Sequence, residues 1–161
     1  MLNYGAASQQ LFDYNTSNLA NKSLSDADKV LANVNASAFK HDVSGSEAGI
    51  KAKSATLMLE DVVKVRVYFT LTGNKSIDQY TITIDGKKVT PQYNDKGWYV
   101  ETDGIAAKDL EKMFTVKVGG ITVKYGALSY VNSKVKGSNI LEANISKALF
   151  AYWKAAEALL G

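Results

Sequence analysis

Between Ile50 and Tyr125 the chain alternates apolar and polar residues with a period of two, the signature of strands with one buried face. Val63, Val65, Val67, Phe69 and Leu71 alternate with Lys64, Arg66, Tyr68 and Thr70. Tyr80, Ile82 and Ile84 repeat the pattern, and Asp85-Gly86 then supplies a type I′ hairpin signal before Lys87-Lys88-Val89. Phe114, Val116 and Val118 lead through a Gly119-Gly120 turn to Ile121, Val123 and Tyr125. With Ala55-Leu57-Leu59 and Trp98 to Thr102, the pattern predicts about seven short strands.

Outside that core the period becomes helical. Tyr4, Ala7, Ser8 and Leu11 share one face of an opening helix that runs to about Tyr14. After a polar stretch, Ser25-Asp26-Ala27-Asp28 reads as an N-cap with acidic residues in the first turn, predicting a short helix to about Asn33. The Ser, Gly and Glu residues of Ser44 to Gly49 predict a loop. At the other end Leu128, Val131 and Val135 form one helical face, closed by Gly137. Asn139 with Glu142 reads as a capping pair for a last helix with the stripe Ile145, Leu149, Tyr152, Ala156 and Leu159.

These elements define an expected α+β fold: an immunoglobulin- or fibronectin-like β-sandwich of about seven strands, with the terminal helices packed together beside it. Residues 1–49 carry the N-terminal helices and loop, 50–125 the sandwich and 126–161 the C-terminal helices of a single domain. Gly104-Ile105, Asp109-Leu110 and Phe114-Thr115-Val116 are similar to the corner between strands in such sandwiches, with Phe114 where tyrosine is usual. Asn3 to Phe12 also superposes on Ala151 to Leu160, with aromatic, small and bulky apolar positions in register. The paired phrases predict that the two end helices meet through Ala6, Ala7 and Ser8 against Ala155 and Ala156, and that the chain is one of several tandem modules.

Composition narrows the chemistry. The 161 residues are 46% hydrophobic, enough for one buried core. Net charge is +3, but Arg66 is the only arginine and the lysines are dispersed, which argues against nucleic acid as a partner. There is no cysteine and His41 is the single histidine, so the sequence predicts neither a transition-metal site nor a cofactor. No nucleotide or metalloprotease motif is present, and Ser44 and Ser46 near His41 read as an ordinary loop. Glu101, Asp103 and Asp85 are the carboxylates to weigh for glycoside hydrolysis, and Asp42, Glu60 and Asp61 for calcium. Paired surface charges are common on strands and the chain is small for a glycosidase, and the calcium set lacks the dense carboxylate loop of an EF-hand, so no catalytic residue is assigned. No stretch approaches the roughly 18 apolar residues of a membrane span, and Met1-Leu2-Asn3-Tyr4 is not a signal peptide. A leader of an exported parent would lie upstream.

Strand parity directs Trp98, Val100 and Thr102 inward, and Tyr99, Glu101 and Asp103 outward. Tyr68, Tyr93 and Tyr99 are therefore the candidate ligand-binding residues, read as exposed aromatics. Trp153 falls off its helix's stripe beside Phe150 and predicts a helix seam or a contact with a neighbouring module.

The phrases Met1 to Gln9, Tyr14-Asn15-Thr16, Asn18-Leu19-Ala20-Asn21, Tyr99-Val100-Glu101, Val118-Gly119-Gly120 and Ala127-Leu128-Ser129-Tyr130 resemble a module of large secreted or surface proteins of anaerobic gut Firmicutes. That family is a domain of unknown function, so the resemblance implies an extracellular or cell-wall location in a Gram-positive bacterium and no catalytic residues. The expected role is a non-catalytic structural, adhesion or spacer module in contact with neighbouring modules of its own polypeptide. A carbohydrate-binding module is the alternative, with polysaccharide or a host surface protein as the outside partner.

Overall fold

The structure is a computed structural model that describes Ala7, Ser8, Leu11 and residues 34–160. The predicted helix from Ser25 to Asn33 and most of the opening helix lie outside the described residues. Two antiparallel sheets form the body, giving nine strands among the described residues where the alternation predicts about seven. The first sheet has the order β1 (Asp42–Ser44), β9 (Ile121–Gly126), β8 (Met113–Val118), β4 (Ile82–Ile84), β5 (Lys87–Lys88). The second has the order β2 (Ile50–Leu59), β3 (Val63–Leu71), β7 (Gly97–Glu101), β6 (Gln92–Asn94). The two extra strands are β1 and β6, three residues each; both are too short to show a period and exist only through pairing with β9 and β7.

Pairing register follows the alternation. Val67 lies opposite Val100, and Phe69 opposite Trp98. In the other sheet Val116 and Phe114 lie opposite Val123 and Tyr125. Those inward sets, with Ile82 and Ile84, build the apolar core between the sheets. The Asp85-Gly86 turn has φ of 49° and 81° at its two central positions, the type I′ geometry that its composition predicts. Beyond β7 the ladder continues without formal strand: the Thr102 hydroxyl accepts the Val65 N–H at 3.1 Å, and the Ile105 N–H donates to the Val63 carbonyl at 2.8 Å. Leu110 and Phe114, of the predicted corner, are both buried.

Helices α1 (Ala127–Lys134) and α2 (Ile140–Leu160) follow. Asn139 caps α2 as predicted, its Oδ1 accepting the Glu142 N–H at 3.1 Å. Helix α1 leaves β9 directly and touches β2 and β3 as well as β9, so it bridges the two sheets. Helix α2 packs on α1 and on the short turn Ala107–Asp109.

The face that α2 buries also differs from the predicted stripe. Ser146, Ala148, Leu149, Trp153 and Ala156 are its buried positions, whereas Leu159 is exposed. Trp153 is thus core, packed edge-on against Phe39 at 5.8 Å between ring centroids and against Phe150 at 5.4 Å. The helix turns this way because Phe39, more than a hundred residues upstream, supplies an aromatic wall. Ala7, Ser8 and Leu11 are helical; Ala7 and Leu11 are buried, and Leu11 belongs to the same core as Leu149 and Trp153. Ala6 lies outside the described residues.

Candidate functional site

Two of the three tyrosines singled out from the sequence come together on the outer face of the β2–β3–β7–β6 sheet. Tyr68 and Tyr99 are cross-strand partners with ring centroids 5.5 Å apart. They point away from the core as parity requires, but they are not exposed: Tyr68 is 3% and Tyr99 9% accessible. The Tyr68 hydroxyl oxygen accepts from Asn94 at 3.1 Å and from Arg66 at 3.3 Å, and the Tyr99 hydroxyl donates to Gln92 at 2.7 Å. The Arg66 guanidinium lies 4.2 Å from the Tyr99 ring centroid, a cation–π contact. Phenols engaged in this way stiffen a sheet and leave little ring surface exposed for stacking, although Tyr68 reaches the lining of the cleft between β2 and β9.

Electrostatics points the same way. Arg66 and Lys64 both pair with Glu101, at 2.7 and 3.4 Å. Burial by itself would push the Glu101 carboxyl up, but the hydrogen bonds and charges of Arg66 and Lys64 outweigh it and hold the group below the usual carboxylate range. Asp85 is held low likewise against its burial, by the Thr115 N–H and by Lys112. Asp85, Glu101, Asp103 and Asp109 do line one hollow of about 500 Å³. Glu101 and Asp85 stay ionised there, so neither is the protonated acid that a glycosidase requires. Among the described residues no three His, Asp or Glu side chains converge as a metal site.

Tyr93 stands apart from the other two. It is 66% accessible and meets Trp98 edge-on at 5.1 Å, beside a hollow of about 340 Å³ that Lys53, Asp95 and Lys96 also line. Trp98 is half-buried, paired opposite Phe69, and lines the same hollow.

A further cleft of about 520 Å³ opens where the sandwich is not closed, between β2 on one sheet and β1–β9 on the other. Its apolar lining includes Ala55, Leu57 and Val67 on one side and Val123 on the other. Tyr125 and Tyr130 line it too, with the Lys134–Glu142 ion pair (3.1 Å) among its walls. His41 is exposed on this cleft, its ring 6.3 Å from that of Tyr125. Burial, reinforced by the nearby Tyr130, pushes the Tyr125 hydroxyl far above its ordinary value; burial and the Glu142 charge raise Tyr130. Both are neutral phenols at physiological pH. The sequence carried one signal for this site: a tyrosine at an inward strand position brings a hydroxyl that needs a partner in the core.

No family model, curated protein or solved structure matches this chain.

Proposed function

We propose that the chain is a non-catalytic extracellular module, structural, adhesive or spacing in role, of a multidomain surface protein from a Gram-positive bacterium, built on an immunoglobulin- or fibronectin-like sandwich. The observation that carries this reading is the outer face of the second sheet. There Arg66, Tyr68, Tyr99 and Glu101 tie β3 to β7 with charged and aromatic contacts, which suits a part that transmits force or holds spacing rather than one that turns over a substrate. The repeat of the first helical phrase in the last supports an array of such modules, whose neighbours along the same polypeptide are the first partners. Among the described residues no helix is long and apolar enough to cross a membrane.

Brief protease treatment of intact cells that produce the parent polypeptide tests the reading. Release of peptides from this chain is expected; recovery of the chain only from the cytosol, beside a catalytic domain, overturns it.

Carbohydrate binding is the second reading, and Tyr93 favours it. An exposed aromatic beside a half-buried tryptophan, with Asp95 and Lys96 at hand, is the combination of stacking surface and polar groups that sugars require. Affinity electrophoresis in gels containing plant or host polysaccharide discriminates the two. Retardation abolished by Tyr93→Ala supports a sugar site; unretarded migration in every gel leaves the spacer reading. Tyr68→Ala and Tyr99→Ala are unsuitable probes, because each removes a buried ring.

A further inference from the structure

The cleft between β2 and β1–β9 contains a polar group that the fold does not use. Tyr125 projects from the inner face of β9, is 5% accessible, and lines the cleft. Among the described residues nothing hydrogen-bonds its hydroxyl, in contrast to Tyr68, Tyr80 and Tyr99, whose hydroxyls all have partners. A buried hydroxyl without a partner is unfavourable, so one on a side chain that lines an open cleft can take an acceptor arriving from outside.

The rest of the lining says what carries that acceptor. The walls at Ala55, Leu57, Val67 and Val123 are aliphatic and fit a hydrocarbon or aromatic body. Among the described residues of the lining the charged groups are Lys53, Lys96 and Lys134 with Glu142, and Glu142 is paired with Lys134. Among the described residues neither Lys53 nor Lys96 has an ion-pair partner, so the cleft's cations attract an anion and repel an amine. The volume falls within the ~300–1,000 Å³ range of small-molecule sites.

We propose that this cleft binds an amphipathic organic acid, its apolar body between the sheets and its carboxylate drawn by the cleft's lysines and accepting a hydrogen bond from Tyr125. A neutral phenol suits this role, since it retains its proton to donate. Binding here does not depend on whether the chain sits at a cell surface.

Isothermal titration of the full chain with sodium decanoate and with sodium 4-phenylbutyrate tests the site, and the two probes separate an aliphatic from an aromatic ligand. At least one is expected to bind saturably at one equivalent, and more tightly than its uncharged alcohol. Tyr125→Phe, which keeps the ring and removes only the unused hydroxyl, should weaken binding roughly tenfold without lowering the melting temperature. The surface double variant Lys53→Gln/Lys96→Gln should weaken the acids and leave the alcohols unchanged. Absence of saturable binding by both acids, equal affinity for acid and alcohol, or unchanged affinity in Tyr125→Phe would each overturn the proposal.

Discussion

Arg66 holds Glu101 with two nitrogens on one oxygen: Nε and Nη2 both donate to Oε2, at 3.0 and 2.7 Å. The other carboxylate oxygen is left to Lys64, and the guanidinium plane is free to lie on Tyr99. This is the only arginine of the chain, placed where a planar, delocalised cation is worth more than an ammonium.

Arg66→Met should therefore destabilise the fold by about 1.5–3 kcal/mol, since hydrogen bonds to a charged group are lost and Glu101 keeps its charge with only Lys64 nearby. Arg66→Lys should recover only part of that loss, because an ammonium cannot make both bonds and the stacking contact. Urea unfolding of the three proteins checks the order.

Acid should weaken this face and the Asp85 turn of the other sheet. Glu101 and Asp85 have folded pKa values below their ordinary values of 4.5 and 3.8, so each binds its proton more weakly when folded than when unfolded. Their stabilising contribution is complete above those ordinary values and is lost as pH falls through the lower folded ones. Melting temperature should fall as pH drops below about 4.5, and the slope should be shallower in Glu101→Gln, which starts from lower stability.

Gly45 and Gly86 both have positive φ, at 76° and 81°, but their surroundings differ. A Cβ on Gly45 would collide with the Gly120 carbonyl in the β8–β9 turn, whereas one on Gly86 meets nothing. Gly86→Ala should cost about 1–2 kcal/mol from backbone strain alone. Gly45→Ala should cost more than Gly86→Ala, and Gly86→Asn less, as thermal melts of the three variants will order them.

Asn139→Ala removes the side chain that accepts the Glu142 N–H at the start of α2 and should cost about 0.5–2 kcal/mol, with Asn139→Asp close to neutral. Circular dichroism at the helical minimum during melting measures the difference.

Ala156 is fully buried and Ala7 nearly so. Ala156→Leu and Ala7→Leu should each cost about 1–3 kcal/mol by overpacking. Lys117→Ala, at an exposed position of β8, is the control and should change the melting temperature little. Lys64 is no such control, because it contacts Glu101. If both leucine variants melt with the control, these alanines do not pack closely, and the tandem reading of the two ends loses its support.

What the sequence by itself determined is local. Alternation in Val63 to Leu71 sets which side chains share a face because successive strand residues point oppositely, whatever lies around them. Asp85-Gly86 makes its turn and Asn139 its cap through bonds spanning two to four residues. Partnership across the chain was decided elsewhere. Tyr68 and Tyr99 were legible as outward but not as engaged, because their hydrogen-bond partners lie on strands aligned only by folding: Gln92 and Asn94 on β6, and Arg66 on β3. The α2 stripe was legible as helical, yet its buried face was fixed by Phe39 meeting Trp153. Strand β1 exists because β9 pairs with it from eighty residues away, and the cleft beside Tyr125 exists because β1 and β2, from opposite sheets, do not close on each other. Periodicity is a property of neighbouring peptide units, whereas burial and unsatisfied hydrogen bonds depend on which distant side chains arrive alongside, and that only the packed tertiary structure decides.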